Sequence, residues 1–228
     1  MFRELIEAMR RRPLLDQMMC EMEQMVAQAV HMYRPLVEVL TGAGKLTQET
    51  KDAIYATDIE INRLQRNIRK QLVEHLVAAT GTDVPVCLVL MSVSKDAERV
   101  GDMCKNILEV AEAMRGPLKN DRYGERFRSL LAETEALFEP TVEAFRTSDK
   151  DLGRRAVEKG RALAKECDSL IDDLIEDSLP CREAVLYTLL ARHLKRIDSH
   201  LSNIATSVVM PFHRLDYFDE KWEKLPRS

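Results

Sequence analysis

The sequence is poor in aromatic residues (5%), and its 228 residues include only 8 glycines and 8 prolines. Sheet proteins draw on aromatics for their strands and on glycine and proline for their turns, so this composition argues against a β architecture. There is no CxxC pair. The five cysteines, Cys20, Cys87, Cys104, Cys167 and Cys181, stand at unrelated spacings. That favours reduced thiols used as small apolar residues over disulfides or a thiolate zinc site. The most apolar stretch, Val84 to Val93, is too short to span a bilayer and contains Pro85. Net charge is −4, which gives non-specific nucleic-acid binding no global electrostatic support. Met1 to Arg12 is amphipathic and charged rather than a basic start followed by an apolar block, so the expectation is a cytoplasmic protein.

Catalytic signatures are missing too. No histidine has Glu three residues before it, as ferritin-like di-iron sites require, and no His-Asp dipeptide marks a metal phosphohydrolase. There is no Gly-rich phosphate loop, Gly-x-Ser-x-Gly or HExxH, so the sequence supports no enzyme reading.

What is present is a balance of 45% hydrophobic and 32% charged residues, arranged with a helical beat. Leu15, Met18, Met22, Met25, Ala29 and Met32 set the rhythm of a first helix over about 14–40. Thr41 to Gly44 ends it, and Thr47 is placed to cap a second helix over about 48–79, with Ile54, Thr57, Ile61, Leu64 and Ile68 inward. After Gly81 and Thr82, Asp83 is the expected N-cap of a third helix that stops before Gly116. Leu90, Val93, Ala97, Val100, Cys104, Ile107, Ala111 and Met114 form its seam. A fourth helix is expected to Arg146. A fifth follows Ser148, read as a capping box with Asp151, and a sixth runs from near Pro180 to before Pro211. The seam of the sixth is Leu190, Leu194, Ile197, Leu201, Ile204 and Val208.

The two halves repeat each other. Tyr33-Arg34-Pro35-Leu36-Val37-Glu38 mirrors Phe138-Glu139-Pro140-Thr141-Val142-Glu143. A proline inside a helix costs about 3 kcal/mol, so its use twice in one context argues against coincidence. Asp58 to Asn62 mirrors Asp168 to Asp172, and Arg99 through Ile107 mirrors Arg196 through Ile204. Short loops between long helices then imply an all-α fold of two tandem, pseudo-repeated three-helix bundles. The expected organisation is an amphipathic segment 1–13, bundles 14–116 and 117–211, and an aromatic tail 212–228.

On the third helix Glu98 and Asp102 lie one turn apart, on the face away from the apolar seam, so their carboxylates are neighbours that repel unless a cation intervenes. The alternative is a solvated face with Lys95 and Lys105 supplying nearby positive charge. For His193 and His200, seven apart on the sixth helix, an interfacial or solvent position is the commoner fate than a ligand role.

Two such bundles with Glu98-Arg99-x-Gly101-Asp102-x-x-x-Asn106-Ile107 on the third helix resemble the PhoU family over about residues 14–211. The resemblance implies a cytoplasmic negative regulator of phosphate uptake and of the phosphate-starvation response. It implies partners in a phosphate ABC transporter ATPase and a membrane histidine kinase, with the membrane reached only through them, and a homodimer as an option. It also implies metal binding, with iron, zinc, manganese or magnesium as candidates, at Glu98 and Asp102. Two carboxylates are too few for a tight site, so Asp58, Asn62, water or another chain would have to contribute. The second half departs from the pattern, with Lys195 and Ser199 where the third helix has Glu98 and Asp102. Its acidic residues stand on the fifth helix instead, as Asp168, Asp172 and Glu176, and Lys195 is expected to pair with Asp168 or Asp172 in place of a metal. The alternative to the regulator is an accessory or scaffold protein of another phosphate or metal-ion transporter.

Overall fold

The computed structural model describes residues 13–78, 83–211 and 214–215. The expected helix over 1–12, the break at Gly81 and Thr82, and the aromatic positions Phe212, Tyr217, Phe218 and Trp222 lie outside the described residues. Among the described residues there are six helices and no strand. They are α1 (Pro13–Thr41), α2 (Gln48–Ala78), α3 (Val84–Met114), α4 (Arg122–Thr147), α5 (Lys150–Glu176) and α6 (Cys181–Val209). None is long and apolar enough to cross a membrane.

The helix ends follow local chemistry. Pro13 opens α1, where its missing N–H is no loss, and the Thr47 hydroxyl accepts the Thr50 N–H at 3.1 Å ahead of α2. Two caps differ from expectation. Asp83 precedes α3 without a side-chain cap bond, because its carboxylate lies 2.9 Å from His75 Nε2 at the end of α2. Asp149, not Ser148, caps α5, accepting from the Asp151 and Leu152 N–H groups at 2.9 Å each. Ser148 is committed to ending α4 in the left-handed region (φ 57°), and a carboxylate suits the positive end of a helix better than a hydroxyl.

The helices pack as two up-down-up bundles, α1–α3 and α4–α6, joined where α3 meets α6 and α1 meets α4. The anticipated seams are buried: Leu15, Met18, Met22, Met25, Ala29 and Met32 on α1, and all six named positions of α6. Fully burying one such side chain is worth about 1.5–3 kcal/mol, and the buried residues of both halves form one continuous cluster. On α2 the pattern shifts by one position. Thr57 is half-exposed and bonds the Ala53 carbonyl, while its neighbour Asp58 is buried.

The repeat is visible as contact. Tyr33 and Phe138, the mirrored aromatics before the helix prolines, pack at 5.5 Å between ring centroids, and the Tyr33 hydroxyl donates to the Leu131 carbonyl at 3.1 Å. α3 and α6 run antiparallel. Asp96 meets His200 at one end of their crossing, and the Arg182 guanidinium meets the Ala113 carbonyl at the other. Cys87, Cys104 and Cys167 are buried, Cys20 and Cys181 are exposed, and all five are free thiols.

Candidate metal centre

The position of Glu98 and Asp102 is set by Gly101. A Cβ there would stand 3.0 Å from Ile61 Cδ1, so α2 comes close to α3 at this point. Because α3 is also packed by α1 and α6, the expected open face is in fact a partly covered one. The Glu98 side chain is only 17% exposed and that of Asp102 23%. Burial raises the pKa of the Glu98 carboxyl, and the Asp102 charge adds to this against the pull of Arg99.

The carboxylates meet cations supplied by the chain itself. Lys105 Nζ lies 2.9 Å from Asp58 Oδ2 on α2 and 3.0 Å from Asp102 Oδ1 on α3, bridging the two helices. Arg99 Nη1 takes the other Asp102 oxygen at 3.1 Å, and its Nε lies 3.7 Å from Glu98. Burial pulls the Lys105 pKa down, but hydrogen bonds to Asp58 and Asp102 outweigh it and the net shift is upward. Asn62 presents its amide N–H to Asp58 Oδ2 at 3.1 Å, so it acts here as a donor and not as a carbonyl ligand. Next to this cluster a groove of about 410 Å³ is lined by residues of α2, α3 and α6, among them Tyr55, Arg99, Lys105, Asn106 and Arg196.

In the second half, Lys195 Nζ lies 2.6 Å from both oxygens of Asp168, which is the cross-helix pairing expected of it. Asp172 and Glu176 are exposed on α5. Ser199 turns its hydroxyl back to the Lys195 carbonyl at 2.8 Å. Another α5 acid, Glu166, pairs with Arg126 of α4 at 2.7 Å, and Asp173 pairs with the same guanidinium. Glu98 and Asp102 are thus brought together with Asp58, while Asp168 and Asp172 belong to α5 in the other half.

A divalent or ferric ion needs several oxygen or nitrogen donors turned toward one point, at about 2.0–2.6 Å from the ion. Here that point is taken by an ammonium group, and the amide that would complete the set presents its donor side. Among the described residues, no three His, Cys, Asp or Glu side chains group closely enough to hold an ion. The residues as arranged do not fit a metal.

Two further polar clusters lie on the apolar seams. Asp96, three residues after Val93, is buried between the halves, where its Oδ1 accepts from Asn203 at 3.1 Å and lies 2.8 Å from His200 Nδ1. Asp198, one turn after Leu194, accepts from Thr134 at 2.9 Å, and burial pushes its carboxyl up to about 8. An acidic residue in step with an apolar seam was the available signal for both. His200 therefore takes the interfacial role, and the half-buried His193 has its pKa lowered by burial and by Arg196 and Arg192.

A family model described as the PhoU domain matches residues 15–111 and again 127–208, one match per bundle. The chain belongs to the PhoU family. A curated PhoU-family relative from Synechocystis, the phosphate-specific transport system accessory protein PhoU homolog, is 24% identical over 178 residues, covering 70% of this chain and 73% of that protein. The crystal structure of PhoU from Pseudomonas aeruginosa superposes with a TM-score of 0.75 at 20% identity, over 86% of this chain and 95% of that one. The phosphate transport system regulatory protein PhoU from Streptococcus pneumoniae gives 0.71 at 18% identity, over 85% and 92%. At these identities the solved structures show the shared PhoU fold, and the doubled family match shows the membership.

Proposed function

We propose that this chain is a negative regulator of phosphate uptake and phosphate-starvation signalling in the cytoplasm, acting through a phosphate transporter ATPase, a membrane sensor kinase or both. The observation that carries this reading is the family match to both bundles, which covers nearly all of the described helices. The relative named as a phosphate-transport accessory protein agrees with it. The mechanism is stoichiometric rather than catalytic. A regulator that binds one conformation of its partner more tightly than another shifts that partner's equilibrium by the difference in binding free energy.

A double bundle with one continuous core suits this task, because interior packing resists deformation of the outer faces when a partner docks. The test is affinity purification of the full chain from its native cells grown in high phosphate, with co-purifying proteins identified by mass spectrometry. The expected result is recovery of the phosphate transporter ATPase or the sensor kinase. Recovery of a different transporter, with neither of these, overturns the reading in favour of an accessory protein for that transporter.

A further inference from the structure

The carboxylates that the family resemblance marks for metal are engaged by lysines in both halves, from two different positions in the repeat. In the first half Lys105, seven residues after Glu98, places its ammonium between Asp58 of α2 and Asp102 of α3. In the second half Lys195 occupies the place of Glu98 itself and closes on both oxygens of Asp168 of α5. The bridge is formed between α2 and α3 in one bundle and between α5 and α6 in the other, at mirrored helix pairs.

We propose that these lysines stand in for metal ions, so that this chain binds no divalent or ferric ion at either carboxylate cluster. In the first site Lys105 is the group that bridges the two aspartates, and the site opens when that ammonium is removed. Three features of the first cluster carry this. Lys105 holds one oxygen from each of two aspartates, and those are the oxygens an ion between α2 and α3 would need. Arg99 holds the remaining oxygen of Asp102, so both oxygens of that carboxylate already face cations of the chain. Asn62 completes Asp58 as a donor, a role that suits a carboxylate facing an ammonium and opposes one facing a metal. In the second cluster Lys195 and Ser199 stand where the first has Glu98 and Asp102, and Asp168 already holds the ammonium with both oxygens. Charge neutralisation across the helix pair is thereby achieved without a ligand whose supply varies.

This inference does not rest on the regulator reading, and its test reads metal content rather than partner capture. The full chain, wild type and as Lys105→Ala, Lys105→Met and Asp102→Asn, is incubated separately with Mn²⁺, Zn²⁺, Mg²⁺ and Fe³⁺. It is then desalted and assayed by elemental mass spectrometry, and titrated with Mn²⁺ by calorimetry. Circular dichroism establishes which variants are folded, and Lys105→Met keeps the apolar stem of the side chain should Lys105→Ala fold poorly. The expected result is well under one ion per wild-type chain, unchanged by Asp102→Asn, and a gain of about one ion per chain in a folded Lys105 variant. About one ion per wild-type chain that disappears in Asp102→Asn overturns the proposal. Folded Lys105 variants that bind no more metal than wild type overturn the assignment of Lys105 as the closing group.

Discussion

The two bundles share a topology and a motif frame but spend their polar residues differently. The first draws much of its core from methionines, with Met18, Met22, Met25, Met32 and Met103 all buried, and brings Asp58 and Asp102 onto one lysine where α2 meets α3. The second packs Phe127, Leu131, Leu137, Phe138 and Tyr187, and at the place of Gly101 it carries the buried acid Asp198. At mirrored positions, then, one half uses a glycine that lets α2 approach, and the other a carboxyl held by Thr134. Each half sets a lysine against an aspartate across a mirrored helix pair, from different positions in the repeat. A carboxylate between two helices can be neutralised by any cation within reach, or kept protonated by burial as Asp198 is.

The widest difference between the halves is expected in their response to pH, because only the second carries a core carboxyl in this place. Asp198 is pushed up to about 8, mainly by burial, against about 3.9 for an unfolded aspartate. Between about pH 4 and 8 the unfolded chain has lost this proton and the folded chain keeps it, so stability falls as pH rises, by up to about 1.4 kcal/mol per unit. It levels off above the folded value. The stability of wild type relative to Asp198→Asn, from urea titrations at pH 5 to 8, should therefore decline steadily across that window. A pH-independent difference would show that Asp198 titrates normally.

Glycine substitutions sharpen the contrast next. At Gly160 on α5 a Cβ would lie 2.0 Å from Ser202 Oγ and 3.1 Å from the Asp198 carbonyl, whereas at Gly101 it meets only the tips of Ile61 and Met32. Gly160→Val should destabilise by about 3 kcal/mol through overpacking. Gly101→Ala should change stability by less than about 1 kcal/mol, because the flexible Ile61 end gives way and alanine is the better helix former. Thermal unfolding of the two variants checks the difference.

The joint between the halves is probed by Asp96. Asp96→Ala leaves the facing polar atoms of His200 and Asn203 without their partner and should cost about 2 kcal/mol. In a double-mutant cycle with His200→Ala the losses should not add. Additive losses would mean that the pair carries no coupling.

The smallest effects compare the two lysines. Lys105→Met strips a partly covered ammonium from two carboxylates and should cost about 1–2 kcal/mol. Lys195→Met removes an exposed pair, since Asp168 is 49% exposed, and should cost less than about 1 kcal/mol. Equal losses by chemical denaturation would show that the halves hold their carboxylates alike.

Much of the architecture was legible before any coordinates. The period of the apolar residues marks the helices, because a helix in a bundle must turn one stripe inward. The duplicated proline context and the mirrored motifs mark the two bundles. Lys195 was legible as a partner for Asp168 or Asp172 because it stands where the repeat has an acid, and the structure pairs it with Asp168. The capping of α5 was misread by one residue, since either Ser148 or Asp149 suits an N-cap and only the end of α4 determines which is free to serve.

Sequence by itself determined the six helices, their pairing into repeats and the family, since all three depend on local periodicity and on order along the chain. Only the tertiary structure decided which charges meet. Lys105 and Asp58 are 47 residues apart, and Asp96 and His200 are 104 apart. Whether such groups touch is fixed by the angle and register at which two helices cross. That crossing is set by the packing of the whole core, and it makes part of a face that looked solvated into the wall of a groove.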